Sequence, residues 1–186
     1  MQAIAPINPR IRRWIIDLLV NHQGWSKLNY LGEPGQLLAG LGCKQTDPDE
    51  LCLKTARRDL NRAWKQICRT PQAQDPLPAR LAANITRIQA LADLNQAECR
   101  ILEFAICLHA NFELNSTLEL FERLSTNQLN AQLAKILELT EADVRTALSI
   151  SGALFRTGIL DTCPLSSSFR QSLSDRLMPS QNHFVD

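Results

Sequence analysis

Ile11, Trp14, Ile15, Leu18 and Leu19 recur at intervals of three and four, the spacing of one apolar face of an α-helix. Asn8-Pro9 supplies a start for that helix, a capping side chain followed by a ring at the first helical position. Gly24 ends it. Glycines at 32, 35, 40 and 42 then mark turns around one short helix or apolar plug. Asp47-Pro48 repeats the start signal, and beyond it Leu53, Ala56, Leu60, Ala63, Trp64 and Ile67 share a second helical face. The stretch "TPQAQDPLPAR" at 70–80 holds three prolines and no periodicity. It reads as a linker. The pattern therefore predicts a helical N-terminal part over 1–70, a Pro-rich linker over 71–78 and a second part over 79–186.

In the second part Leu81, Ile85, Ile88 and Leu91 predict an amphipathic helix. Asn95 with Glu98 three residues later is a capping-box start. The helix it opens, "QAECRILEFAICLHAN", is apolar nearly all round after Arg100, which predicts the buried centre of this part. "STLELFERL" and "NQLNAQLAKILEL" give two more helices, the latter with Leu129, Leu133, Ile136 and Leu137 inward. Thr140 with Asp143 caps the next, which buries Val144, Ala147 and Leu148. The two helices on either side of Thr140 have helix-turn-helix spacing. "ALFRTGIL" then offers two short apolar pieces, with Gly158 free to take positive φ beside them. The fold class expected is all-α, with a winged-helix-like C-terminal part and a short β wing.

Charge changes this picture. The net charge over 186 residues is only +1, but residues 1–70 carry eleven Lys/Arg against six Asp/Glu, and 71–186 carry nine against thirteen. On the second long helix Lys54, Arg58, Arg62, Lys65 and Arg69 gather on the flank away from the apolar stripe, Arg57 lies nearer that stripe, and only Asp59 interrupts. This stripe suits phosphate tracking on nucleic acid, an acidic protein partner, the acidic remainder of the same chain, or a plain solvated face. The predicted recognition helix points the other way. Its leading end offers Glu141 and Asp143, with Arg145 in compensation, where a DNA-reading helix presents Arg, Lys, Asn or Gln. Two carboxylates repel a polyanion. The expected partner is a protein, with nucleic acid as the alternative. The candidate interaction surface is Lys54, Arg58, Arg62, Lys65, Arg69, Glu141, Asp143 and Arg145.

The remaining chemistry is sparse. The six cysteines follow an N-terminus without a signal peptide's layout, so they are expected reduced, buried and apolar in a cytoplasmic protein. Cys107 and His109 face different directions on one helix and lack the further ligands a zinc site needs. His22 and His183 have no acid or nucleophile beside them in sequence, and "PLSSSF" is not a Gly-flanked nucleophile turn. No apolar run is long enough for a bilayer. The sequence thus predicts no catalytic residues, no metal, no cofactor and no membrane partner.

"NAQLAKILELTEADVRTALSISGALFRTGILD", with the helices before it and "LSSSFRQSLSDRLM" after it, resembles the region just upstream of the ATPase module in a group of bacterial AAA+ ATPases. The resemblance covers about residues 80–186 and rests on apolar spacing plus Ser151, Gly152, Leu154, Arg156 and Gly158. It implies a non-catalytic N-terminal region that recruits a partner or substrate for a motor lying C-terminal to it. The phosphate-cradling loop of an ATPase is missing: "GEPGQLL" and "GLGCK" have the wrong spacing, and Lys44 follows no strand. The chain itself is therefore expected not to bind ATP. The alternative is a winged-helix DNA-binding regulator that contacts phosphates through the basic helix face.

Overall fold

The structure is a computed structural model and describes residues 7–22, 24–31, 34–43, 53–121, 125–161 and 177–179. It is all-α and divides into two compact units, Met1–Leu77 and Pro78–Asp186.

In the first unit α1 (Pro9–Asn21) begins as its sequence requires. Asn8 Oδ1 accepts from the Arg10 amide at 3.0 Å, and Pro9 sits where a free amide would otherwise lack a partner. Ile11, Trp14, Ile15, Leu18 and Leu19 are all buried. Two short elements, α2 (Gly24–Lys27) and α3 (Pro34–Gly40), follow, and Leu28, Leu37, Leu38 and Leu41 add to the core. Next comes α4 (Leu53–Ile67), which packs along α1; the start signal at Asp47-Pro48 lies outside the described residues. Its inward face buries Ala56 and Leu60, while Leu53, Ala63, Trp64 and Ile67 are half-buried.

Burial of α1 includes Arg10 and Arg13, and a buried guanidinium needs acceptors. The proline-rich stretch supplies them. Arg10 donates twice to the Asp75 carbonyl, at 2.6 and 3.1 Å, and Arg13 donates to the Thr70 carbonyl at 2.8 Å and pairs with the Asp75 carboxylate. Asn8 Nδ2 reaches the Pro76 carbonyl at 3.1 Å. The stretch read as a linker is tied to α1 at least as far as Pro76, and its Gln72 is buried. The physical reason is that the buried guanidiniums require acceptors, and Thr70 and Asp75, the residues before Pro71 and Pro76, supply their carbonyls.

The second unit runs α5 (Ala79–Ala92), α6 (Gln96–Ala110), α7 (Phe112–Glu119), α8 (Thr126–Ile136), α9 (Glu141–Ala147) and α10 (Ala153–Arg156). At its centre α6 touches α5, α7, α9 and α10, as its apolar circumference predicts. Its start is a complete capping box, with Asn95 Oδ1 accepting from Glu98 N and Glu98 Oε2 from Asn95 N, both at 2.9 Å. Leu129, Leu133, Ile136 and Leu137 point inward from α8, and Val144, Ala147 and Leu148 from α9. Leu160–Asp161 (β1) and Met178–Pro179 (β2) pair antiparallel over two residues.

Two expectations are corrected here. Leu91 does not continue the α5 stripe and is 86% exposed. It lies about 120° round from Ile85, and Asp93 turns the chain at φ 53°, so Leu94 takes the buried place instead. The first apolar piece of "ALFRTGIL" is a helical turn, α10, with Ala153 and Leu154 buried. Gly158 does take positive φ, 70°, one residue beyond the Thr157 that ends it.

Candidate interaction surfaces

Opposite its buried face, α4 presents cations. Lys54, Arg58, Arg62 and Lys65 are exposed on the helix, and Arg69 is exposed in the turn that follows. Arg57, placed nearer the apolar stripe by sequence, is exposed as well, and so is Asn61. At about 100° per residue Lys54, Arg58, Arg62 and Lys65 fall in a wedge of ~80°, nearly opposite Ala56, Leu60 and Ala63. Among the described residues only Arg62 of this set meets a carboxylate, Asp59 at 3.2 Å. The single-residue reason for the stripe is thus packing: α1 fixes which side of α4 faces inward, and the charges occupy the other.

The second set lies on α9. Thr140 caps it, accepting from Asp143 N at 3.1 Å and donating to Asp143 Oδ2 at 2.7 Å. That holds one of the two acidic side chains at the helix start, where negative charge is favourable. Glu141, Ala142, Asp143, Arg145 and Thr146 are all exposed. Past the helix end Ile150 is 84% exposed. Neither Ile150 nor Phe112, at 81% exposed, was singled out in the sequence, because a lone apolar residue in a turn or at a helix start carries no periodicity.

Behind α9 one carboxylate holds two helix starts. Glu98 is buried, and while Oε2 serves the α6 cap, Oε1 accepts from Ala153 N, the first amide of α10, at 2.9 Å. This fixes the residues after α9 against α6. The sequence signalled the cap but not the second bond, which spans 55 positions.

The other chemistry-bearing side chains are accounted for locally. His22 Nε2 lies 3.4 Å from Asp17 Oδ2, so an acid does stand beside it, brought close where α1 ends. His109 Nε2 lies 2.9 Å from the Leu177 carbonyl. Cys43, Cys99 and Cys107 are buried, and burial raises the Cys43 and Cys99 thiols to about 11, with Asp59 adding at Cys43 and Glu103 at Cys99. Cys68 departs from the expected burial and is exposed, because it follows the last residue of α4. Cys52, Cys163 and His183 lie outside the described residues. Among the described residues no three His, Cys, Asp or Glu side chains gather as metal ligands, and no helix is long and apolar enough to cross a membrane.

No family model matches the chain, and no curated protein or solved structure matches it either.

Proposed function

We propose that this chain is a non-catalytic recruiting region, the N-terminal part of a bacterial AAA+ ATPase, and that it works by protein–protein contact. In this reading α8, the turn at 137–140 and α9 form the helix-turn-helix of a winged-helix-like unit, with the segment after Gly158 in the place of the wing. The observation that carries it is the solvent face of α9. Where a DNA reader needs donors for base edges, that face carries Glu141 and Asp143 and runs on to the exposed Ile150. Exposed apolar groups rimmed by mixed charge are what protein interfaces are made of. A generic motor needs a selective surface ahead of it, and a rigid helical unit supplies one.

A photo-crosslinking amino acid in place of Ile150 tests the contact. In extract of the native cell, protein adducts that resist nuclease are expected, and Glu141→Lys with Asp143→Lys should reduce them. Nuclease-sensitive adducts would support a DNA-reading regulator instead. The AAA+ assignment has its own check in the reading frame beyond Asp186. A glycine-rich phosphate loop ending in Lys and Ser/Thr is expected there. A stop codon would overturn that assignment and leave the protein-contact reading in place.

A further inference from the structure

We infer that α4 is a DNA-contacting helix: its cationic face enters the major groove of B-form duplex DNA, with Lys54, Arg57, Arg58, Arg62 and Lys65 on phosphates and Asn61 toward the bases. This surface is separate from α9, and the inference does not depend on the recruitment reading. Three observations carry it.

The first is presentation. The inward side of α4 is packed along α1, so its outward side is held as one rigid face. The second is charge. The helix and its following turn carry Lys54, Arg57, Arg58, Arg62, Lys65 and Arg69 against the single carboxylate of Asp59. The third is what the face lacks. The exposed residues of α4 include no large apolar side chain: Asn61 stands between the cations, Gln66 lies past Arg62, Trp64 beside Arg57 is half-buried, and the following turn adds only the small thiol of Cys68. Protein interfaces centre on apolar and aromatic anchors and are depleted of charge at the core. Protein–DNA interfaces are polar and strongly positive. An acidic protein would find charge here and nothing to bury.

The layout also fits a groove. Taking Lys54 as zero and about 100° per residue, Arg57 lies near −60°, and Arg58 and Arg62 lie near 40° and 80°. Lys65 and Asn61 fall between, near 20° and −20°. A helix lying in a groove meets a phosphate wall on each side and base edges below it; this arrangement puts Arg57 on one flank and Arg58 and Arg62 on the other, with Asn61 between them and Lys54 and Lys65 near the two helix ends, where long side chains reach out to the phosphates. An α-helix with side chains is about 10–12 Å across, which matches the ≈12 Å major groove of B-DNA. The major groove of A-form RNA is too narrow to admit it.

The test is fluorescence anisotropy of the full chain with a labelled DNA duplex of two helical turns, across a salt series from about 50 to 200 mM. Binding in the ~10⁻⁴–10⁻⁶ M class of non-specific contacts is expected at physiological salt, with log K falling linearly in log salt. Arg58→Gln should flatten the slope by roughly 0.9, and Arg58→Gln with Arg62→Gln and Lys65→Gln by roughly 2.7. All three side chains are exposed, and circular dichroism verifies that the variants keep their helices. An unchanged slope in the triple variant overturns the inference. So does tighter binding of a Glu-rich helical peptide than of the duplex, which would make an acidic protein the occupant. Equal affinity for an A-form RNA duplex would overturn groove entry.

Discussion

Gly152 lies where the chain leaves α9 and turns into α10, and its φ of −63° suits any residue. Its constraint is space. A Cβ there would stand 2.5 Å from the Ala147 carbonyl oxygen and 2.9 Å from that of Thr146, backbone atoms that cannot swing aside. Gly152→Ala should therefore cost about 1–3 kcal/mol, read as a lower urea midpoint. An unchanged midpoint would mean that the turn relaxes freely. The sequence marks Gly152 as a turn residue, but the collision depends on how α9 ends and has no signature in composition. Thiols separate the same way. Cys68 should react with iodoacetamide before the buried Cys43, Cys99 and Cys107, as peptide mapping would show. Burial pushes the Cys43 and Cys99 thiols up to about 11 in the folded chain, against the 9.0 of an unperturbed thiol. Between those two pH values the unfolded chain has released protons that the folded chain still binds, so stability should fall as pH rises through that window. Below it this contribution is intact. Cys43→Ala with Cys99→Ala should remove that part of the pH slope in urea titrations.

At the scale of the element, three helix starts were legible and two ends were not. Asn8-Pro9, Asn95 with Glu98 and Thr140 with Asp143 each cap the helix their sequence announces, because a cap is a local hydrogen bond between near neighbours. The ends at Asp93 and Glu138 are left-handed turns built without glycine, with φ of 53° and 52°; Asp tolerates that conformation, but Glu138 carries no signal of it in its residue type. At the end of α8 the Leu139 amide returns to the Ala134 carbonyl at 2.8 Å, which requires that conformation at Glu138. Glu138→Gly removes the steric strain at the cost of some chain entropy, and should stabilise the second unit by up to about 1 kcal/mol. A loss of stability on thermal melting would count against this account of the α8 end. The same distinction explains α10. Its first amide is satisfied by Glu98 from far back in the chain, so the first of the two short apolar pieces read there closes as a helical turn. Leu91 failed for a related reason: periodicity assumes the helix continues, and α5 ends one residue later.

Across the whole molecule the candidate surfaces fall in different units and have different chemistry. The basic face was legible because α4 is long, so its apolar stripe fixes the opposite side without any tertiary knowledge. Ile150 and the outward turn of Arg57 were not, since exposure there depends on packing partners distant in sequence. The division of roles leads to a prediction that needs both units in one chain. Glu141→Gln with Asp143→Gln removes two negative charges from the exposed start of α9. If α9 entered a DNA groove, those carboxylates would sit near phosphates, and their loss would strengthen duplex binding and steepen no slope, because no cation is added. If α9 faces protein and α4 holds DNA, the double variant should leave duplex affinity within about twofold at physiological salt, where the Debye length is ≈8 Å. Arg145→Ala should be equally silent. Tighter binding in the double variant together with weaker binding in Arg145→Ala would place DNA on α9, and the protein-contact reading of that helix would fall.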